Sequence, residues 1–502
     1  MPVWASGYSV VDPILGAGLP GLPPDTPSRS PRFGRRFLIA VVSLGILIGL
    51  GLRAWVLASP LGVLDADEAV VGLMARHALE GEFSAFFWGQ TYGGSQEALL
   101  AAPVFAVVGS SALALKLVTL SLYALSAALV WAVGRRTVGE PAAVVGALLF
   151  WISPAYLVYW STKALPTYGF GLASALVAVL LALRLERRDS RLDAAGLGFA
   201  LGLGWWATPQ VVLLTLPVLV WLAWRRPRVY RLARFAVPAF LVGAAPWFAW
   251  NALNAWASLD VEAVAGAGTT YGERLGDLFR YVLPTWLGLR VPFSLDWLAG
   301  APLGTAAVVV VLAGLGLLFV RGTRGLAPLL FAAAAFPLLY AYSSYTYYVN
   351  EPRYLAMLAP VSALLLGWVA TRHRMGLVLI PITLVLTLAG LVSMRRDGLY
   401  APRGVPRNLS PLLSLLVREG SDRVLANYWL AYRISFESRE RVIATSTGFV
   451  RYQPHDRLVR ADAYPARVFL RGSRRQAVLA LGLRARGYRR FETDDLVVYA
   501  RP

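Results

Sequence analysis

Long apolar runs constrain this chain more than any other feature of its sequence. Runs of about 18–22 apolar residues recur along most of the chain, and each is long enough to cross a bilayer core of roughly 30 Å. The hydrophobic share of 57% is above, and the charged share of 15% below, the values of soluble globular chains. The sequence therefore predicts a polytopic α-helical membrane protein with about 11 transmembrane helices.

The side of the membrane follows from the arginines. Most of them lie in short links on one side of the apolar runs, which is the positive-inside pattern and predicts an N-terminus inside the cell. The net charge of +20 is explained by this topology and by anionic lipid, so membrane lipid and no nucleic acid is predicted as a partner. The predicted spans are Phe37–Ala58, Ala112–Gly134, Pro141–Trp160, Leu165–Arg184, Asp193–Ala207, Pro209–Trp224, Leu232–Ala252, Pro302–Val320, Leu326–Ser343, Tyr354–Thr371 and Met375–Met394.

Composition divides the chain into three parts. Residues 1–36 are rich in Pro and Gly and are predicted to form a disordered cytoplasmic tail, and residues 37–396 form the transmembrane domain. Residues 59–111 are its first outer loop, in which a short apolar piece, 98–108, is expected at the membrane interface. Residues 397–502 are predicted to form a small extracytoplasmic α/β domain. Its predicted strands are Val424–Ala426, Arg441–Thr445, Val468–Arg471, Tyr488–Thr493 and Leu496–Ala500, with helices at Tyr428–Glu437 and Ser473–Arg486 and a hairpin formed by the last two strands.

The first outer loop carries three carboxylates within four residues, Asp65, Asp67 and Glu68. Asp65 and Glu68 have the spacing of a capping box, so these two acids could serve only to begin a helix. Asp67 is then the acid left free to face a substrate. His77 follows on the same amphipathic run, but no His or Cys stands at ligand spacing from it, which favours an interfacial side chain over a metal ligand.

The first outer loop resembles that of GT-C glycosyltransferases. The resemblance rests on Asp67-Glu68-Ala69, on the stretch from Gly89 to Ala98 and on the apolar piece ending at Gly109. It is similar to family 39 and protein-mannosyltransferase-like members, which include the lipid A aminoarabinose transferases. These proteins share the order of tail, span, Asp-Glu loop, many spans and variable outer domain.

The resemblance implies specific roles for residues of this chain. Asp67, with Glu68 beside it, is implied to be catalytic, as the general base that takes a proton from an acceptor hydroxyl, with inversion at the sugar carbon. Arg353, Lys163 and Tyr354 are implied to bind the phosphate of a polyprenyl-phosphate sugar, although either cation could instead contact lipid headgroups. The loop residues expected to contact substrate are Asp65, Tyr92, Gln96 and Glu97. For Glu97, a second acid and a simple helix start remain equal alternatives.

No cofactor is predicted, because no Gly-rich phosphate loop follows a strand. A divalent metal is possible but not indicated, because the link from Lys163 to Tyr168 lacks the family's further acid. The predicted function is a multi-pass glycosyltransferase of the plasma (inner) membrane with an extracytoplasmic active site. Its acceptor could be a glycan, a lipid or a protein. The alternatives are a transporter or flippase of lipid-linked sugars, which internal repeats would favour, and a non-catalytic membrane scaffold.

Overall fold

A computed structural model describes residues 35–260, 268–343, 346, 348–372, 374–398 and 405–501 of the chain. The predicted tail therefore lies outside the described residues, apart from its last two. The chain divides into two compact units, Met1–Leu44 and Gly45–Pro502. Within the first unit the described residues form the beginning of helix α1, and every contact described below lies within the second unit.

The described residues are mostly helical. The helices of the apolar part are α1 (Arg35–Ala58), α2 (Ala66–Leu79), α3 (Gln96–Val108), α4 (Ala112–Thr137), α5 (Glu140–Ile152), α6 (Ala155–Trp160), α7 (Tyr168–Arg187), α8 (Arg191–Ala207), α9 (Val212–Arg225), α10 (Ala233–Gly243), α11 (Ala245–Leu253), α12 (Tyr271–Asp277), α13 (Leu283–Trp286), α14 (Ala301–Arg321), α15 (Ala327–Tyr342), α16 (Ala359–Arg372) and α17 (Leu379–Asp397).

Among the described residues, seven helices are long and apolar enough to cross a membrane, or up to eight if one bent pair counts as a single span. The chain is thus an integral membrane protein, but the predicted count of about 11 spans and the side of the N-terminus are not confirmed. The predicted span Pro141–Trp160 is divided into α5 and α6, because Pro154 has no N–H to continue a helix. The predicted span Leu232–Ala252 bends by 61° between α10 and α11.

Small residues let helices of this bundle approach closely. A Cβ atom added to Gly198 of α8 would lie 1.9 Å from the carbonyl oxygen of Ala236 in α10, and one added to Gly202 would lie 2.2 Å from that of Phe240. The absent side chains therefore allow the backbones of α8 and α10 to touch, as is common where helices associate in membranes.

The C-terminal region is a small α/β domain, as predicted. Its elements are α18 (Ser410–Arg418), β1 (Arg423–Ala426), α19 (Tyr428–Glu437), β2 (Ile443–Ser446), α20 (Gln453–Ala461), β3 (Ala466–Leu470), α21 (Arg474–Ala485), β4 (Arg489–Glu492) and β5 (Leu496–Ala500). The strand order is β2-β1-β3-β5-β4, with β1 parallel to both its neighbours. The predicted strands and both predicted helices are confirmed within a few residues, including the β4–β5 hairpin, whereas α18 and α20 were not predicted.

The C-terminal domain packs directly on helix α2. Tyr432 and Phe436 of α19 belong to the same buried apolar cluster as the apolar face of α2. A Cβ atom on Gly72 of α2 would lie 2.3 Å from the Phe436 ring. Arg76 of α2 donates a hydrogen bond of 2.8 Å to the Phe436 carbonyl oxygen. The C-terminal domain, which is distant in the sequence, therefore covers the helix that carries the predicted loop acids.

Candidate active site

The capping box of α2 is present as predicted. Asp65 is the N-cap: its Oδ1 accepts from the backbone N–H of Glu68 at 2.9 Å, and Glu68 Oε2 accepts from the backbone N–H of Asp65 at 3.1 Å. Burial, and next the Glu68 carboxylate, raise the pKa of Asp65 to about 6, against the opposing effect of Lys163. Asp65 therefore starts the helix and sets the direction of the two acids that follow.

Glu68 is fully buried and lies at the centre of a cluster of charged side chains. Both lysines of the chain reach it: Lys116 contacts Oε1, and Lys163 donates to Oε2 at 3.2 Å. The backbone N–H of Ala164 also donates to Oε1, at 2.9 Å. Burial opposes ionisation, but the two ammonium groups outweigh it and lower the pKa of Glu68. We name Glu68, Lys116 and Lys163 the closed cluster.

The same contacts engage the Lys163 ammonium group fully. Its ammonium donates to the Val63 carbonyl oxygen at 2.7 Å and lies 3.7 Å from Asp65 Oδ2, and 4% of its side chain is exposed. Burial opposes its charge, but Glu68 and then Tyr159 raise its pKa. Lys163 and Glu68 thus satisfy each other, and neither presents a free charged group to a ligand in this structure.

Asp67 has a different environment from its neighbour. Its side chain is 30% exposed, and its Oδ1 accepts from the Tyr428 hydroxyl and from Arg451 Nη2, the latter at 3.3 Å. Among the residues that the structure describes, no hydrogen bond reaches Oδ2. We name Asp67, Tyr428 and Arg451 the open cluster, because one carboxylate oxygen is held and the other is available.

Tyr428 and Arg451 were not predicted. Arg451 Nε donates to the Tyr428 hydroxyl at 2.7 Å, and the guanidinium carbon lies 4.7 Å from the centre of the Phe87 ring. Arg451 Nη1 is buried and has no hydrogen-bond partner among the described residues. No local sequence signal marks these residues, since both lie in the C-terminal domain, more than 360 residues from Asp67.

Tyr92 lies within electrostatic range of the open cluster and of Arg353. Burial, with Tyr168 and Asp67, raises the pKa of the Tyr92 phenol, while the nearby guanidinium groups of Arg451 and Arg353 oppose this. Two arginines and the available acid therefore act on one tyrosine of the glycine-rich stretch.

Arg353 stands between aromatic rings. Its guanidinium carbon lies 5.1 Å from the ring centre of Tyr348 and 5.5 Å from that of Tyr354. Tyr354 itself is buried. Arg353 Nε is buried without a hydrogen-bond partner in the described part of the chain. A buried guanidinium donor left unmatched in this way is a suitable group for an anionic ligand.

Gln96 and Glu97 are buried at the start of α3. Glu97 accepts from the Thr119 hydroxyl at 3.1 Å and from the backbone N–H of Gly169 at 3.0 Å. Burial raises the pKa of Glu97 to about 7. Gln96 donates to the Leu203 carbonyl oxygen at 3.4 Å, and its Oε1 has no partner among the described residues. Both residues join α3 to other helices.

Known structures share this architecture. The crystal structure of ArnT from Cupriavidus metallidurans bound to undecaprenyl phosphate superposes with a TM-score of 0.62 at 12% identity, over 92% of this chain and 97% of that one. The apo state of the same ArnT gives a TM-score of 0.59, with the same identity and coverage. The chain has a GT-C fold. It is similar to ArnT, as the resemblance of its first outer loop indicated.

Sequence comparison covers less of the chain. The family described as dolichyl-phosphate-mannose-protein mannosyltransferase matches residues 97–250. That segment begins after Asp67 and ends before Arg353, so it contains neither the open cluster nor Arg353. No curated protein sequence matches the chain.

Proposed function

We propose that this chain is a glycosyltransferase that moves a sugar from a polyprenyl-phosphate donor to an acceptor hydroxyl at the outer face of the plasma (inner) membrane. The observation that carries the proposal is the open cluster: Asp67 has one oxygen held by Tyr428 and Arg451 and the other available. The GT-C fold supports it, because ArnT was solved with undecaprenyl phosphate. The open cluster and the fold leave a glycan, a lipid and a protein equally suitable as the acceptor.

Asp67 is the proposed general base. Its Oδ2 takes the proton of the acceptor hydroxyl while that oxygen forms a bond to the anomeric carbon of the sugar. The bond from the anomeric carbon to the phosphate oxygen breaks, and its electron pair leaves with the polyprenyl phosphate. A single displacement of this kind inverts the configuration. Arg451 Nη2, 3.3 Å from Oδ1, helps to hold the base in one orientation.

Arg353 is the proposed partner of the leaving phosphate. Negative charge grows on the phosphate oxygens as the bond breaks, and a preorganised guanidinium stabilises that charge. The unmatched Nε of Arg353 supports this role. The buried ring of Tyr354 beside Arg353 is proposed to line the donor-binding position. Tyr92, acted on by both arginines and Asp67, is the proposed substrate contact. No cofactor is required in this scheme.

The remaining predicted site residues are proposed to act through structure. Glu68 and Lys163 neutralise each other in the closed cluster and hold the start of α2 in place. Asp65 caps that helix, and Gln96 and Glu97 anchor α3. For these five residues we propose positioning in place of direct catalysis, phosphate binding or substrate contact.

Transfer from radiolabelled polyprenyl-phosphate sugars in membranes that contain the wild-type chain tests the proposal. We expect transfer by the wild type, with the product anomer opposite to the donor anomer by NMR, and loss of transfer in Asp67→Asn. Glu80→Gln, at an exposed acid just after the same helix, is the matched control and retains transfer. Transport of a labelled lipid-linked sugar across vesicles, without transfer from any donor, would instead support the transporter alternative.

A further inference from the structure

A second cluster of ligating groups lies where α2 meets the C-terminal domain. His77 is on α2, Glu440 follows α19, and His455 is on α20. His77 Nε2 lies 2.8 Å and His455 Nε2 lies 3.0 Å from the same atom, Glu440 Oε1. The ligand atoms of the three residues all lie within 4.8 Å of one another.

These distances are close to those of a metal centre. With metal–nitrogen and metal–oxygen bonds of about 2.0–2.1 Å, two ligand atoms of a tetrahedral zinc site are about 3.3 Å apart. The two imidazole nitrogens therefore need to retreat from Glu440 Oε1 by only a few tenths of an ångström, and no two ligand atoms are more than 4.8 Å apart before an ion binds. The side chains are 12%, 22% and 5% exposed for His77, Glu440 and His455, so the pocket is mostly shielded from water.

A carboxylate stands behind the first imidazole. Glu82 Oε2 lies 2.7 Å from His77 Nδ1, on the side of the ring away from Glu440. The Tyr452 hydroxyl donates to Glu82 at 2.8 Å, and the Tyr452 ring stacks on Trp88 with centroids 3.9 Å apart. Such a carboxylate accepts the Nδ1 proton, fixes the tautomer that leaves Nε2 for a metal, and orients the ring.

We propose that His77, His455 and Glu440 bind a zinc ion that fastens helix α2 to the C-terminal domain. Two imidazoles and one carboxylate form a ligand set that suits zinc, whereas magnesium and calcium prefer oxygen ligands. The fourth position is left for water. Because His77 and Glu440 are 363 residues apart in the chain, an ion held by both ties together regions that no local structure connects.

The competing arrangement needs no metal. In it His77 carries two protons and donates to Glu82 and Glu440, while Arg76, 3.5 Å from Glu440 Oε2, completes the charge balance. His455 would then donate from Nε2 and keep its buried Nδ1 without a partner. The two arrangements differ in a measurable quantity, the zinc content of the protein.

The test uses the full-length chain, purified in detergent without a histidine tag, stripped with a chelator and re-equilibrated with zinc. We expect about one zinc per chain by mass spectrometry and an X-ray absorption shell of nitrogen and oxygen at about 2.0 Å that contains imidazole. His77→Ala and His455→Ala are expected to lose the zinc. His373→Ala, at the remaining one of the chain's three histidines and outside the described residues, is the matched control and is expected to keep the zinc.

A second variant guards against loss of folding. Glu82→Gln leaves all three ligands in place but removes the carboxylate behind His77, so zinc affinity is expected to fall about 10- to 100-fold. Zinc should also raise the thermal midpoint of the wild type and leave that of His455→Ala unchanged. The proposal is overturned if the wild type holds no more zinc than His77→Ala, or if absorption shows no imidazole. Because the assay counts metal and not sugar transfer, it stands apart from the proposed function.

Discussion

Asp67 and Glu68 are neighbours in the sequence and opposites in the structure. Successive residues of an α-helix point about 100° apart, so Glu68 faces the protein interior and Asp67 faces the C-terminal domain. Glu68 is fully buried, and both of its oxygens accept from lysines and backbone N–H groups. Asp67 is 30% exposed, and one of its oxygens has no partner among the described residues.

Under the proposed function, this difference in burial and contacts separates a structural acid from a reactive one. A buried carboxylate whose acceptors are all occupied by cations cannot take a proton without breaking its ion pairs. A carboxylate held at one oxygen and available at the other is oriented and can still react. We therefore propose that the closed cluster supplies rigidity and that the open cluster supplies chemistry. The five predictions below test that division, from the largest expected effect to the smallest.

The first prediction concerns Asp67→Asn. Losing the base should lower sugar transfer about 100- to 10,000-fold. The thermal midpoint in detergent should fall much less than in Glu68→Gln, because Asp67 is 30% exposed and the amide keeps the same shape and an oxygen that accepts from Tyr428. Transfer rates at equal protein amounts, with Glu80→Gln as the control, measure this. Undiminished transfer in Asp67→Asn would move the search for the base to Asp65 and Glu97.

Glu68→Gln should show the reverse behaviour. Removing one partner of a buried ion cluster leaves Lys116 and Lys163 uncompensated, at a cost of about 3–5 kcal/mol in the free energy of unfolding. The protein that remains folded should retain transfer. Thermal unfolding and transfer per folded molecule measure the two quantities. Adding Lys116→Met should recover part of the lost stability, and a normal midpoint with abolished transfer would instead make Glu68 catalytic.

Glu97 sharpens the comparison, because it is a buried acid that forms no ion pair with any residue the structure describes. Burial raises its folded-state pKa from 4.5 to about 7. The folded chain thus keeps a proton that the unfolded chain releases in this range, so the free energy of unfolding falls as the pH rises from about 4.5 to about 7. The total is on the order of 3 kcal/mol. Thermal midpoints against pH should show this slope in wild type and a flatter one in Glu97→Gln.

Arg353 tests whether the open cluster is one half of a larger site. Arg353→Ala removes a charged donor from the proposed phosphate position, which should cost about 1.5–3 kcal/mol of transition-state stabilisation, or roughly 10- to 150-fold in kcat/KM for the donor. Arg353→Lys keeps the charge and should lose less. Equal values for both variants and the wild type, with donor as the varied substrate, would exclude a phosphate contact.

Tyr428→Phe carries the smallest expected effect. It deletes the hydroxyl that orients Asp67. A hydrogen bond to a charged acceptor is worth about 1.5–3 kcal/mol, but Arg451 still holds the same oxygen, so we expect a loss of about 0.5–1.5 kcal/mol. Transfer should therefore fall by about two- to tenfold. Tyr464→Phe, at an exposed tyrosine of the same domain, is the control. A loss as large as that of Asp67→Asn would mean that Tyr428 itself reacts.

Local features were predictable where neighbours in the sequence decide them. The capping box follows from the spacing of Asp65 and Glu68, and helix α19 and the β4–β5 hairpin appear where the pattern indicated them. The division of one span at Pro154 and the bend before α11 were not anticipated, because apolar content alone does not reveal where a helix breaks.

The partners of each acid were beyond sequence reasoning. Lys116 is an ordinary residue of an apolar run until α4 packs beside α2, and Arg451 is one arginine among many until α19 and α20 cover the first outer loop. The sequence shows no partner histidine near His77, since His455 lies far along the chain and reaches Glu440 only after folding.

The sequence by itself determined a membrane-spanning helical chain with a small α/β domain near its end, because apolar run length and alternation act locally. It also predicts the acidic loop as the place for chemistry. Only the tertiary structure decided which acid is closed and which is open. That distinction depends on long-range contacts, in which two lysines reach Glu68 and a tyrosine and an arginine from the C-terminal domain reach Asp67, and charge environment follows distance in space and not separation along the chain.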